Sequence, residues 1–133
     1  MRALLCEPMR DPVVINTDDS LFAFQRLLGS HVDIADDFLD PIAVVYNELD
    51  YQPSLGNVFF FCDARGRLRH TAYGKILVIG VKDEEPCSLT DEQIKQYSRI
   101  FRSTVLYFHM QDEDNPDKQH HLPHKNKAGG CPQ

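Results

Sequence analysis

Positive side chains gather in one short stretch of an otherwise acidic chain. The whole chain of 133 residues has 14 basic against 20 acidic residues and a net charge of -6. Arginine binds phosphate groups through paired N–H donors, and aromatic rings stack on bases. A cluster of basic residues next to aromatic residues therefore predicts a site for a small anionic nucleotide. The candidate ligand-binding residues are Asn57, Arg65, Arg67, Arg69, His70, Tyr73 and Lys75.

The same cluster also has a simpler interpretation. An ordinary hairpin can carry basic residues on its solvent face while the phenylalanines at positions 59–61 fill the core. Because side chains alternate along a strand, Phe60 must point away from the face that Phe59 and Phe61 share. For each residue taken singly this interpretation is favoured, so the predicted site rests on the cluster as a whole.

No sequence pattern identifies a catalytic or metal site. The chain lacks a G-x-S-x-G elbow, an H-E-x-x-H pair and a G-x-G-x-x-G turn, and Ile76 stands where a phosphate loop requires Ser or Thr. The histidines His120, His121 and His124 resemble a metal cluster. Pro123 interrupts the helix that would bring them to one face. The sequence therefore predicts no catalytic residue, no metal and no cofactor.

Acidic residues form a second candidate surface. They suggest a mimic of DNA phosphates of the antirestriction kind, against the simpler account of solvated loops. A net charge of -6 is modest for a mimic. It also opposes attraction to nucleic acid and to anionic membranes, so neither is an expected partner. The acidic residues are Asp33, Asp36, Asp37, Asp40, Glu48 and Asp50.

Length, hydropathy and cysteine spacing favour one cytoplasmic domain. A chain with 42% hydrophobic residues can bury one moderate core without disulfides or metals. No apolar run approaches the about 20 residues that a membrane helix requires, and the N-terminal apolar segment is too short for a signal peptide. The cysteines form no C-x-x-C pair and are expected to be reduced, with Cys6 and Cys62 in the core.

Strands and turns must position the basic and aromatic residues. Residues 57–62, a turn at 63–66 and residues 67–69 predict a hairpin, in which Gly66 supplies a positive φ. The continuous apolar runs at 42–46 and 75–80 predict inner strands, whereas 31–34 alternates like an exposed strand. Further strands are predicted at 3–6 and 12–16. Residues 105–110 fit either the end of the last helix or one more strand, and their β-branched and aromatic content favours the strand.

Two helices complete the prediction. The first follows residues 18–20 and ends at Gly29, and the second begins with a capping box from Thr90 to Gln93. The fold is therefore expected to be one α+β domain over residues 1–110, with two helices packed on a single mixed or antiparallel sheet of about five to six strands. Residues 111–133 are polar and predict a flexible tail.

Four segments occur in a characteristic order: Leu4-Leu5-Cys6-Glu7-Pro8, the Asn57 strand with its turn, residues 73–80, and residues 88–94. Together they resemble a family of small domains of unknown function that occurs in bacteriophages, prophages and conjugative elements. The resemblance covers roughly residues 2–102, although Gly56-Asn57-Val58 replaces the Pro-Asn-Arg that the family tends to show. It implies a mobile-element origin and supplies no catalytic residues.

The expected function is non-catalytic binding, with counter-defence by sequestering a small anionic nucleotide signal or a host defence protein. Two alternatives stay open. One is a small enzyme acting on a nucleotide, since acid–base pairs need no proximity in sequence, and the other is the acidic DNA mimic. A homodimer is a further expectation, because an exposed edge such as residues 32–34 can pair with a second copy.

Overall fold

The computed structural model describes residues 1–36, 38, 40–48, 58–63, 65–102 and 105–109. Predicted features at Asn57 and in the segment 110–133, including His120, His121 and His124, lie outside these residues. The elements follow in chain order as β1 (Arg2–Cys6), β2 (Val13–Asn16), α1 (Leu21–Leu28), β3 (Val32–Ala35), β4 (Ile42–Asn47), β5 (Val58–Cys62), β6 (Leu68–Tyr73), β7 (Ile76–Lys82), β8 (Glu85–Cys87), α2 (Asp91–Ile100) and β9 (Val105–His109).

The strands form a larger and a smaller sheet. In the larger sheet the order is β2-β1-β7-β4-β3, with β8 paired to the end of β7, and every pair is antiparallel. In the smaller sheet the order is β6-β5-β9, where β5 and β9 run parallel. The predicted α+β class, with a mostly antiparallel sheet and two helices, is confirmed. The smaller sheet is an addition to the single sheet expected.

The larger sheet is covered on both faces. Because side chains alternate along β4, Val44 and Tyr46 face the smaller sheet and α2, while Ala43 and Val45 face α1. This explains why the whole run from 42 to 46 is apolar, as expected of an inner strand. Each large apolar side chain buried in this way contributes about 1.5–3 kcal/mol.

Local hydrogen bonds define both ends of α1. The Ser20 hydroxyl oxygen accepts the Ala23 N–H at 3.1 Å, which caps the first turn. Gly29 has a φ of 114°, and its N–H donates to the Gln25 carbonyl at 2.8 Å. The predicted end of this helix at glycine is confirmed.

The capping box predicted for α2 is also present. The Thr90 hydroxyl accepts the Gln93 N–H at 3.1 Å, and the Gln93 side chain accepts the Thr90 N–H at 2.9 Å. Tyr97 is fully buried, and its hydroxyl donates to Asp40. Burial, followed by this bond to a carboxylate, raises the pKa of Tyr97. Neither helix is long and apolar enough to cross a membrane.

The cysteines predicted to lie in the core do so. Cys6 and Cys62 are both buried and reduced. Burial raises the pKa of the Cys6 thiol to about 12. Because the thiolate is the reactive form, Cys6 is inert at neutral pH and acts as a small apolar core residue.

Candidate functional site

The turn between β5 and β6 is organised by one buried carboxylate. Asp63 Oδ1 accepts the backbone N–H groups of Arg65 and Arg67, each at 2.9 Å, and Oδ2 accepts Nε–H of Arg67 at 2.8 Å. The Asp63 N–H donates to the Arg67 carbonyl at 2.8 Å, and Gly66, with a φ of 81°, donates to the Asp63 carbonyl. The Asp63 side chain is only 4% exposed. The predicted turn with Gly66 at positive φ is confirmed.

The charge state of Asp63 follows from these bonds. Burial alone raises the pKa of the carboxyl group. The hydrogen bonds from Arg67 and from the Arg65 N–H, together with the charge of Arg67, outweigh burial and hold the pKa of Asp63 below its ordinary value. At neutral pH the residue is therefore a fixed carboxylate.

Asp63 orients the guanidinium group of Arg67. The Nε–H group is bonded to the carboxylate, while the side chain as a whole is 63% exposed, so part of the guanidinium group is accessible to solvent. Arg65, also exposed, stands two residues away in the same turn. We call Asp63, Arg65, Gly66 and Arg67 the hairpin tip. It presents two arginines, one of them held in a defined orientation suited to an oxyanion.

One face of the smaller sheet carries aromatic and basic side chains. Phe60 lies directly opposite Thr71 across the β5–β6 pair, so both point to the same face. Arg69 and Tyr73 flank Thr71 on β6 and share that face. All four side chains are partly exposed. We call Phe60, Arg69, Thr71 and Tyr73 the outer face.

The inner face of the same sheet packs into the core. Phe59 and Phe61 are buried, which settles the alternation predicted for the phenylalanine run. His70 also points inward, and its Nδ1 lies 2.6 Å from the hydroxyl of Tyr46 on β4. That hydroxyl lies 3.2 Å from Asp33 Oδ2 on β3, and Asp33 Oδ1 accepts the Ile34 N–H. We call Asp33, Tyr46 and His70 the inner polar cluster.

The geometry of the inner polar cluster constrains its hydrogens. A tyrosine hydroxyl has one hydrogen to donate. When Tyr46 donates it to the Asp33 carboxylate, His70 Nδ1 must carry the hydrogen that it donates to the Tyr46 oxygen. Asp33 and His70 are each less than a tenth exposed, so the cluster joins the two sheets from within.

The prediction that residues 31–34 form an exposed strand was wrong for Asp33. β3 is a terminal strand of the larger sheet, but Asp33 faces the smaller sheet and is buried with Tyr46 and His70. Asp36 is also buried, whereas Asp40 and Glu48 are exposed. The buried carboxylates of Asp33 and Asp36 therefore contribute no charge to the acidic surface that the sequence predicted. Asp37 and Asp50 lie outside the described residues.

The structure brings some of the seven candidate residues together and separates others. Arg65 and Arg67 lie at the hairpin tip, and Arg69 and Tyr73 lie on the outer face. His70 points away from them into the core. Lys75 is exposed ahead of β7 in the larger sheet, with Nζ 4.0 Å from Glu7 Oε2. Asn57 lies outside the described residues.

Sequence reasoning missed the role of Asp63. Its signal was present, because an aspartate two residues before Arg65 in a glycine-containing turn commonly accepts backbone N–H groups from the turn. The burial of His70 had no such local signal. It depends on the strand register and on Tyr46, which lies far away in sequence.

A cleft of about 460 Å³ lies elsewhere in the molecule. Ala23 and Leu27 of α1 form one wall, and Asn16 and Thr17 at the end of β2 form the other. It is on the α1 side of the larger sheet, whereas the smaller sheet packs on the opposite side. Among the described residues no three His, Cys, Asp or Glu side chains are grouped closely enough to hold a metal ion.

Comparison with known proteins identifies the family. Residues 1–102 match the model of a domain of unknown function, DUF3846. Because the match covers most of the chain, the protein belongs to this family. No curated protein and no solved structure gives a significant match. The expected membership of an uncharacterised small-domain family is confirmed.

Proposed function

We propose that this member of DUF3846 is a non-catalytic binding protein for a small anionic nucleotide. In this proposal the hairpin tip holds the phosphate groups, and the outer face stacks on the base. The observation that carries it is the bond between Asp63 and Arg67, which orients an exposed guanidinium group at the end of an aromatic sheet face.

The layout of the site suits an elongated ligand. Arg67 immediately precedes β6, and Arg69 follows two residues later on the outer face. A strand rises about 3.3 Å per residue, so Arg69 and Tyr73 are separated by roughly 13 Å along β6. Phe60 lies between them on the neighbouring strand, opposite Thr71. Positive charge at one end and aromatic rings beyond it fit the two ends of a nucleotide.

Several features favour binding over catalysis. General acid–base catalysis requires a titratable group within reach of the substrate. Asp63 at the hairpin tip is held ionised by its hydrogen bonds, and His70 on the neighbouring strand is turned into the core, where it belongs to the inner polar cluster. A nucleotide-processing enzyme would have to use other residues, so it stays the second candidate. The biological role that we propose is sequestration of a nucleotide signal, with counter-defence as its setting.

The direct test is to find what the protein retains. The full chain is incubated with a pool of nucleotides, separated from unbound material and denatured, and the released compounds are identified. Return of an intact nucleotide in stoichiometric amount is the expected result. Return of an altered compound would favour the enzyme alternative. Absence of both depletion and turnover would contradict nucleotide binding and favour a host protein as the partner.

A pair of matched variants locates the site. Arg65→Gln with Arg67→Gln removes two positive charges from the hairpin tip, and Lys95→Gln with Arg99→Gln removes the same charge from the exposed side of α2. A hydrogen bond to a charged group contributes about 1.5–3 kcal/mol. The tip variant should therefore weaken binding of the retained nucleotide tenfold or more in titration calorimetry. Equal weakening by both variants would point to general electrostatic attraction instead of this site.

A further inference from the structure

The terminal strand β2 leaves apolar surface exposed. Val13 is 50% exposed and Val14 44% exposed, and β2 contains no charged residue. Sheet edges are usually protected from pairing by charges, bulges or covering segments. At the opposite edge, β3 has three of its four side chains buried. The exposed apolar edge of the larger sheet is therefore the one at β2.

The hydrogen-bond pattern shows which backbone groups of β2 point outward. The Thr17 N–H donates to the Met1 carbonyl at 2.9 Å, and Ile15 and Val13 lie opposite Ala3 and Leu5. In an antiparallel pair the bonded positions alternate, so Val13, Ile15 and Thr17 direct their backbone groups toward β1.

The intervening positions face away from β1. Val14 and Asn16 direct their N–H and C=O groups outward, and Pro12 directs its carbonyl outward. Within the described ranges no strand pairs with this side of β2. A further strand can therefore bond to the sheet here without disturbing the bonds between β1 and β2.

We propose that β2 pairs antiparallel with β2 of a second copy of this chain, with the two-fold axis passing beside Val14. Each Val14 N–H then donates to the Val14 carbonyl of the other copy. Each Asn16 N–H donates to the other copy's Pro12 carbonyl, so the missing N–H of proline lies at the end of the contact. The two larger sheets become one continuous sheet across the axis.

Side-chain matching selects this register. A shift by one residue is excluded, because it sets inward-directed backbone groups against outward-directed ones. A shift by two in one direction would place Val14 opposite Asn16 and Val13 opposite Thr17. The same shift in the other direction would place Val14 opposite Pro12 and Asn16 opposite Arg10, which lies in the turn before β2. The Val14-centred register instead pairs Val13 with Ile15 twice on the α1 side, and Val14 with Val14 on the other side.

Charges outside the strand favour the antiparallel direction of the pairing. Arg10 precedes β2 in a turn, where its N–H donates to the Glu7 carbonyl at 3.3 Å, and Asp18 follows β2, so the pairing brings the turn with Arg10 of one copy toward the strand end with Asp18 of the other. Both residues are exposed. Because the axis is two-fold, this attraction occurs twice, once on each side of the valines. The edge is therefore self-complementary in backbone bonds, apolar side chains and charge.

Sedimentation equilibrium of the full chain over a range of concentrations tests the proposal. The contact is short, so we expect a monomer–dimer equilibrium that shifts with concentration. Val14→Lys sets two like charges against each other at the axis and should leave only monomer. Leu68→Lys is the matched control, since Leu68 is 56% exposed on β6, and it should dimerise like the parent. A parent that is monomeric throughout, or a Val14→Lys variant that dimerises like the parent, overturns the proposal.

Cysteine cross-linking tests the register independently of any loss of folding. Opposed residues in a bonded antiparallel pair have Cα atoms about 5.5 Å apart, within the range that a disulfide spans. In a Cys87→Ser and Cys131→Ser background, which removes the partly exposed free cysteine of β8, Val14→Cys should form a disulfide-linked dimer on mild oxidation. Val13→Cys lies diagonally from its copy, about 7–8 Å away, and should cross-link far less. Equal cross-linking of both variants, or of neither, contradicts the Val14-centred pairing.

Discussion

At the scale of single residues, Asp63 connects the charge of the hairpin tip to its shape. The carboxylate accepts two backbone N–H groups and the Arg67 side chain. Loss of its charge therefore weakens the turn and releases the guanidinium group at the same time. The free energy of unfolding should therefore depend on pH through the ionisation of Asp63.

We expect the contribution of Asp63 to stability to disappear in acid. Its pKa is lower in the folded protein than in the unfolded chain, so its contribution is complete above the unfolded value of about 3.9. The contribution is then lost as the pH falls through the lower, folded pKa. Thermal unfolding of the parent and of Asp63→Asn should show a difference in Tm at pH 7 that shrinks below about pH 4.

Asp19→Asn serves as the control for this measurement, because Asp19 is an exposed carboxylate that lies two residues before α1. Its Tm should follow that of the parent at neutral pH. If Asp63→Asn matched the parent at pH 7, the hydrogen bonds of the carboxylate would have no net effect on folding.

At the scale of elements, the sequence predicted best what local bonds decide. The α2 cap is formed by Thr90 and Gln93, which are neighbours in sequence, and the capping pattern alone identifies them. The turn at Gly66 was predicted for the same reason. The presence of two sheets was not predicted, because the parallel pairing of β5 with β9 joins segments that are far apart in the chain.

The candidate site also has a part that local sequence predicts and a part that depends on contacts distant in sequence. The basic residues and their hairpin were visible in the sequence, and Arg65, Arg67, Arg69 and Tyr73 do lie at one tip and face of the smaller sheet. The inward direction of His70 was not visible in the sequence. Strand alternation allows His70 to point to either face of the sheet, and the choice depends on its hydrogen-bond partner Tyr46.

The glycine at the end of α1 gives a prediction at this scale. A Cβ at Gly29 would lie 2.3 Å from Asn47 Nδ2, which donates to the Leu28 carbonyl, and the φ of 114° is unfavourable for alanine. Gly29→Ala should therefore cost more than Gly66→Ala, where φ is also positive but no atom lies within 4 Å. Backbone strain alone costs about 1–3 kcal/mol. Equal losses in urea unfolding would mean that the Asn47 contact has no effect.

At the scale of the whole molecule, the inner polar cluster links the two sheets through hydrogen bonds. Asp33 and Tyr46 belong to the larger sheet and His70 to the smaller one, with 2.6 Å between the Tyr46 hydroxyl and His70 Nδ1. The buried apolar residues between the two sheets pack by contacts that have no fixed direction. The cluster therefore helps to position β6, and through it the outer face, relative to the larger sheet.

Tyr46→Phe should loosen the smaller sheet selectively. The variant removes the hydroxyl group that Asp33 and His70 share, and loss of one partner of a buried polar group costs about 1–3 kcal/mol. Hydrogen exchange should become faster for the amides of β6 than for those of β1 and α1, which are remote from the cluster. Uniformly faster exchange would indicate a general loss of stability without a specific link between the sheets.

The parallel strand β9 has a consequence for the order in which the chain is made. It pairs with β5 over its whole length, from Val58 with Val105 to Cys62 with His109, although the family match ends at residue 102. At a synthesis rate of roughly 5–20 residues per second, β5 leaves the ribosome several seconds before its neighbour. During that interval the edge of β5 that later pairs with β9 has no native partner. Newborn chains are therefore open to misassembly at the strand that later supports the outer face.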